Sequence, residues 1–179
     1  RGYSIEFVFD THVHADHVSG GRELADHVGA TYYLGADAAD RGVDYDYQPL
    51  NRNEVVAVGN HEIKAVASPG HTSEIVSYLL DDAAVFTGDT LFVDSVGRTE
   101  LQFGDADADA GARLLYESLH GTLLAEPDSV TVLPGHFSVG ADGTTDVTPG
   151  EPVSTTIGHV RNELELLTVD RETFVRQLT

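Results

Sequence analysis

Phe9-Asp10-Thr11-His12-Val13-His14-Ala15-Asp16-His17 places three histidines and an aspartate within six residues, directly behind the apolar run Ile5, Phe7, Val8 and Phe9. Metal ligands are deprotonated N or O donors at fixed spacing, and this stretch holds four of them. On an extended segment alternate side chains point to the same side, so His12 and His14 can reach one point together. Asp16 and His17 follow where the chain leaves the strand, and they can reach a neighbouring point. The plain alternative is a polar loop with chance histidines. The density of donors behind a strand-like run argues against it.

Working outward, similar donors recur past other apolar runs. Ser68-Pro69-Gly70-His71-Thr72 follows a run ending at Ala67, Thr87-Gly88-Asp89-Thr90 follows Ala83 to Phe86, and Pro134-Gly135-His136 follows Val130 to Leu133. Each sets a His or Asp beside glycine, which permits sharp turns and close backbone approach. Ligand sites at the carboxyl ends of strands are the common geometry of α/β folds. Taken singly each of these turns is a weak signal; taken together with the first cluster they are a strong one. They supply His12, His14, Asp16, His17, His71, Asp89 and His136. Seven N/O donors without a thiolate suit two metal ions with one bridging carboxylate, or one ion with three ligands and the rest in support. His27, His61, His120 and His159 lack such a setting and read as structural or surface residues.

The length suits one domain spanning residues 1–179 with a sizeable core. No apolar run approaches the ~20 residues of a membrane span, and no secretory signal pattern opens the chain, so a cytoplasmic location is expected. The sequence begins at Arg1 rather than Met, shortly before a strand, and is expected to be a fragment of a longer chain. Thirty acidic residues face ten basic ones, a net charge of −20, and Lys64 is the only lysine. Such a surface argues against nucleic acid or an anionic membrane as partner. It resembles the lysine-poor acidic surfaces of proteins from high-salt, halophilic cytoplasm, where salt screens self-repulsion. The absence of cysteine excludes disulfides, thiolate zinc sites, cysteine-held iron–sulfur clusters and cysteine nucleophiles within the chain.

Ser4 to Phe9 reads as a strand, Arg22 to Val28 as a helix with Leu24, Ala25 and Val28 at helical spacing and Gly29 as its C-cap, and Thr31 to Leu34 as the next strand. This β-α-β order suggests a layered α/β arrangement. A short, helix-like Ala36 to Arg41 precedes two hairpins, one around Gly59-Asn60 and one, Ile75 to Leu80 with Ala83 to Thr87, around Asp81-Asp82. Leu91 to Val93 is expected to extend the sheet. Ala106 to Leu119 reads as a helix with Ala108, Leu115 and Leu119 on one face, Val130 to Leu133 as a strand, Thr144 to Pro152 as a loop, and Thr155 to Leu167 and Glu172 to Leu178 as helices.

The order of motifs Thr11 to His17, Pro69-Gly70-His71-Thr72, Gly88-Asp89-Thr90 and Gly135-His136 resembles the metallo-β-lactamase superfamily. The resemblance implies an αβ/βα sandwich with metal at the sheet edge, here lacking the strands that usually precede the first motif. The segment Val96-Gly97-Arg98-Thr99-Glu100-Leu101-Gln102, soon after the Gly-Asp motif, is similar to the persulfide dioxygenase and rhodanese-fused branch. That branch implies one Fe(2+) per chain on the positions of His12, His71 and Asp89, with His14, Asp16, His17 and His136 around them. The glyoxalase II sibling, a hydroxyacylglutathione hydrolase, implies two Zn(2+): His12, His14 and His71 on one, Asp16, His17 and His136 on the other, and Asp89 between. Val96 stands where some persulfide dioxygenases carry a cysteine, so cysteine oxidation cannot tune this site. A rhodanese sulfur-transfer domain would belong to the parent chain or to another chain.

The leading expectation is therefore an iron-dependent sulfur dioxygenase that converts a low-molecular-weight thiol persulfide to sulfite. Its first rival is a binuclear zinc thioester hydrolase in which Asp16 also acts on the bridging water, and its second is a non-catalytic metal-binding fragment. Arg98 is a candidate for holding substrate charge or for bracing the site through a carboxylate. Tyr116 and Phe137 are candidates for lining the pocket. Self-association into a homo-oligomer stays open. If the acidic surface is salt-adapted, the melting temperature rises steeply between low and molar KCl. A flat response in a thermal-shift titration would remove that reading.

Overall fold

The computed structural model describes every residue except Arg1, Ala15, Gly140, Ala141, Gly143, Thr144 and Asp146, and the side chain of Asp105. Strand β1 (Phe7–Phe9) lies parallel to β2 (Thr31–Gly35), with Phe7, Val8 and Phe9 opposite Thr31, Tyr32 and Tyr33. It is shorter than Ser4 to Phe9 because β2 offers partners to those three residues only; Tyr3 and Ile5 stay exposed. Helix α1 (Gly21–Val28) crosses between the strands and ends at Gly29 in the left-handed conformation, as the C-cap reading requires. It buries Ala25 alone; Leu24 and Val28 face outward. A 3-10 segment, Ala36–Arg41, leads to β3 (Gln48–Leu50), parallel to β2 at the sheet edge. This strand was not legible in the sequence, since Pro49 at its centre marks a loop as readily as an edge strand.

The second sheet has six strands in the order β4 (Val55–Val58), β5 (His61–Ala67), β6 (Val76–Leu80), β7 (Ala84–Gly88), β8 (Thr131–Pro134) and β9 (Thr155–Thr156). Pairing is antiparallel except between β7 and β8. Side chains alternate across each strand, and the alternation sorts the core into layers. Phe7, Phe9 and Tyr33 of the small sheet meet Val58, Ala65, Val76 and Tyr78 of the large one. Val8, Tyr32 and Leu34 face the other way, against Ala25 and Ala38. On the far side of the large sheet, Val66, Leu79, Val85 and Val132 pack against α2 (Glu100–Gly121), α3 (Ile157–Glu163) and α4 (Arg171–Leu178). The result is the αβ/βα sandwich.

Three further expectations change. Leu91 to Val93 adds no sheet strand: Phe92 N donates to Ser95 O at 2.9 Å, and a single bridge joins Leu91 to Val96. Helix α2 begins at Glu100 and is interrupted at Gly104 (φ 70°, ψ 168°), so the expected Ala106–Leu119 helix is its second part. Thr155 to Leu167 divides into β9, α3 and a 3-10 turn at Glu165–Leu167. Of the expected loop at 144–152, Thr144 and Asp146 lie outside the described residues and the rest is irregular. Among the described residues no helix is long and apolar enough to cross a membrane.

Helix α4 is held by Phe174, fully buried with its ring edge-on to Tyr116 at 5.4 Å. Phe174→Ala is expected to cost about 3–5 kcal/mol in a urea unfolding curve, while the folded fraction keeps its metal-binding residues in place. A loss below about 1 kcal/mol would show that α4 is not part of this core.

Candidate metal centre

Strands β5, β7 and β8 run in one direction, so their carboxyl ends share an edge. The end of β1 is stitched to the start of β6 beside them: Val76 N donates to Thr11 O and the Tyr78 hydroxyl to Asp10 O, each at 2.8 Å. His12, His71, Asp89 and His136 therefore arrive at one place from four parts of the chain.

His12, His71 and Asp89 are 3%, 7% and 7% exposed. Their ligating atoms lie within 4.8 Å of one another. His71 Nε2 is 3.5 Å and His12 Nε2 4.0 Å from Asp89 Oδ2. The far nitrogens are occupied: His71 Nδ1 donates to Arg98 O at 2.8 Å, and His12 Nδ1 meets Thr11 Oγ1 at 2.9 Å. A donated Nδ1–H leaves Nε2 with its lone pair toward the centre. Burial, then the neighbouring His14 and His71, pushes the His12 imidazole down to about 3, so it is neutral as a ligand must be.

A second group forms beside the first. His14, Asp16 and His17 bring ligating atoms within 4.8 Å of one another, but His14 is half-buried and the other two are exposed. Their hydrogen bonds run in a chain. Asp16 takes His17 Nδ1 at 2.9 Å and His136 Nε2 at 3.0 Å, and His136 Nδ1 reaches Asp89 Oδ1 at 2.7 Å. Desolvation opposes ionisation of Asp16, but the hydrogen bond from His17, a backbone hydrogen bond and the charges of His17 and His136 together outweigh it and hold the carboxyl at about 2. The bond to Asp89 raises His136. His14 Nδ1 is buried without a hydrogen-bond partner, the condition of a nitrogen whose partner is an ion. The neutral His12 imidazole, the ionised Asp16 carboxylate and this orphaned nitrogen fit a divalent ion that takes N and O donors.

All seven sequence-predicted donors thus meet at the edge. Arg98 accepts from His71 through its backbone carbonyl, and its side chain, 69% exposed and 3.7 Å from Glu100, lines the cavity beside the centre. Gly97 explains why a Gly-Arg pair is needed there. A Cβ at Gly97 would fall 1.8 Å from Asp89 O and 3.0 Å from His71 Cβ, so the segment holds both ligands only without one. A cavity of about 260 Å³ opens on His71, Asp89 and His136, walled by Val13, Arg41, Thr72, Phe92, Leu101 and Gln102. Tyr116 and Phe137 are not among its walls: Tyr116 packs on the helical core, and Phe137 lines a separate depression with Val93 and Val147. Phe92 holds the aromatic place instead. His27, His61, His120 and His159 lie outside the centre, His61 bonded to Asp81 and His120 stacked on Tyr116. Arg41 and Glu74, a buried carboxylate whose Oε1 accepts from Val13 N at 2.9 Å, were missed. Glu74 stands three residues past His71, but no spacing rule tied it to Val13.

The family described as Metallo-beta-lactamase superfamily matches residues 2–136. The chain is 34% identical over 140 residues to a hydroxyacylglutathione hydrolase of Brucella anthropi, covering 78% of this chain and 47% of that protein. It therefore spans about half the length of the curated relatives it matches. The crystal structure of ETHE1 from Myxococcus xanthus superposes with a TM-score of 0.80 at 32% identity, covering 99% of this chain and 69% of that one. A metallo-beta-lactamase from Staphylococcus aureus superposes at 0.83 with 27% identity, covering 99% and 53%.

Gly97→Ala tests the close approach. The variant is expected to keep its far-UV circular dichroism but to retain at most about a tenth of the wild-type metal after dialysis, in line with the cost of disturbing groups that orient ligands. Full metal retention would show that the Gly97 backbone does not hold the ligands.

Proposed function

This chain belongs to the metallo-beta-lactamase superfamily, and from that membership and the buried triad we propose that it oxidises a low-molecular-weight thiol persulfide to sulfite as an iron-dependent sulfur dioxygenase. The observation that carries the reading is the contrast between the two donor groups. His12, His71 and Asp89 form a buried 2-His-1-carboxylate set, whereas Asp16, His17 and His136 lie further out and are hydrogen-bonded to one another and to Asp89. The structural similarity to ETHE1 of Myxococcus xanthus supports it. Fe(2+) on the triad would supply open coordination positions and the redox capacity that reaction with O₂ requires. The overall change balances as RSSH + O₂ + H₂O → RSH + H₂SO₃: the terminal sulfur is oxidised by O₂, which is reduced, and water cleaves the S–S bond, giving its oxygen to the sulfite and a proton to the leaving thiolate.

The chain's own groups bind, orient and move protons. Arg98 O and Thr11 Oγ1 fix the two imidazoles. Phe92, Leu101 and Val13 give the cavity an apolar side suited to a sulfur chain. The water that completes the sulfite brings protons to be removed, and Asp89, His136 and Asp16 form a hydrogen-bonded path from the centre to the exposed side.

A second reading is a binuclear zinc thioester hydrolase. The orphaned Nδ1 of His14 and the similarity to the Brucella anthropi hydrolase favour it. In it Zn(2+) would lower the pKa of a water for attack on the carbonyl, with Asp16 and His17 turned from the hydrogen-bond chain to the second ion. Metal analysis beside oxygen uptake separates the two. The expected result is one iron per chain, O₂ consumption with a persulfide, and loss of both in Asp89→Asn. Two zinc ions with thioester cleavage and no O₂ consumption would replace this proposal with the second.

A further inference from the structure

Glu74 is a buried carboxylate paired, among the described residues, with one cation, Arg41, which stands in the cavity wall. Its Oε1 accepts from Val13 N, the peptide between His12 and His14. Its Oε2 is 3.4 Å from Arg41 Nε, and both atoms are buried without a hydrogen bond. The pair is thus held by charge and packing rather than by the fork geometry that guanidinium and carboxylate prefer. The backbone of Glu74 presses on Gly35, where a Cβ would fall 2.5 Å from Glu74 O, and Gly35 opens the 3-10 segment that ends in Arg41. Arg41 is thereby fixed from two directions beside His71 and Asp89.

Its Nη atoms are the unusual feature. In a chain of thirty acidic and ten basic residues, guanidinium groups find carboxylates readily. Arg113 meets Glu172, Arg161 meets Asp128 and Arg171 meets Glu117 through Nη donors. Among the described residues no acceptor takes a hydrogen bond from Arg41 Nη; the same holds for Arg22, Arg52 and Arg98, but those three are exposed, whereas the Arg41 side chain is only 22% exposed. A buried acid with a loosely held arginine is costly unless the pair serves geometry. The position it serves here is in the wall of the cavity that opens on His71 and Asp89.

We propose that Arg41, oriented by Glu74, binds a carboxylate on the thiol carrier of the substrate, and that this site selects anionic over neutral thiols. The assignment of a thiol-derived substrate rests on the function proposed above; the arginine's role does not depend on whether persulfide or thioester is turned over. Glu74 is a positioning residue in this scheme, touching Val13 and Arg41 but not the ligand.

The test is equilibrium binding to the metal-loaded protein, with 3-mercaptopropionate as the anionic probe and 2-mercaptoethanol as the neutral one. Wild type is expected to prefer the anionic thiol, and Arg41→Gln to weaken that thiol about tenfold or more, the worth of a charge-assisted hydrogen bond, while leaving the neutral thiol within about twofold. Arg41→Lys should recover part of the loss. Glu74→Gln keeps an acceptor for Val13 N but removes the charge facing Arg41, so it should retain metal and lose selectivity. Equal binding of the two thiols by wild type, or equal weakening of both in Arg41→Gln at unchanged metal content, would overturn the proposal. Oxygen uptake with the persulfides of the same thiols is read separately. Its absence, with selectivity intact, sinks the dioxygenase reading and leaves the arginine's role standing.

Discussion

Asp89 is the atom group on which the rest of the edge depends. One carboxylate oxygen faces His12 and His71, and the other receives His136. Backbone presses on it from two sides, since a Cβ at Gly135 would lie 2.7 Å from Asp89 Oδ1 and one at Gly97 would overlap Asp89 O. A carboxylate so enclosed loses much of its hydration, a loss that is repaid only by charge or hydrogen bonds from partners in fixed positions. His136 supplies one such hydrogen bond, and an ion held with His12 and His71 would supply the charge; each of the three histidines comes from a different segment. The centre is therefore a tertiary feature, intact only when the strand ends are correctly registered.

That registration follows from the alternation of side chains. Phe9 and Tyr33 stack at 4.9 Å between the sheets, while Val8 and Tyr32 look to the α1 layer. A one-residue slip of β1 would reverse these faces and carry His12 away from Asp89. Behind the large sheet, α2 braces the His71 turn: Ser118 Oγ donates to Pro69 O at 2.7 Å, and Gly70 lies so close to Leu115 that a Cβ would fall 2.4 Å from its Cβ. The apolar cores thus act on function by setting the positions of turns.

The donors were legible because each sits beside a glycine or proline just past an apolar run, and both parts of that signal are local. The layered α/β class followed from the same runs. What escaped were relations across the chain. Pro49 hid an edge strand, Leu91 looked sheet-forming but turns back on Val96, and Gly104 split a helix whose polar first part lacked an apolar stripe. Arg98 drew notice for its charge and does line the cavity, but its carbonyl also fixes His71, and a carbonyl is a group every residue possesses and no sequence pattern displays. Glu74 and Arg41 are separated by 33 positions, and nothing in either neighbourhood announces the other.

The same seven donors can serve one ion or two, so donor identity alone does not separate the chemistries. The hydrogen bonds support the one-ion reading proposed above. Both ring nitrogens of His136 point at carboxylates, Asp89 on one side and Asp16 on the other. While protons fill those contacts, His136 has no lone pair to offer and Asp16 has one fewer free oxygen. A second ion must displace the protons and part Asp16 from His17, on the exposed side, where water competes for every donor. The first ion faces no such contest, because Arg98 O and Thr11 Oγ1 already direct the two buried imidazoles toward Asp89 Oδ2. Burial and hydrogen bonding thus distinguish two groups built from equivalent donors, and that difference is what supports the proposed chemistry at the triad.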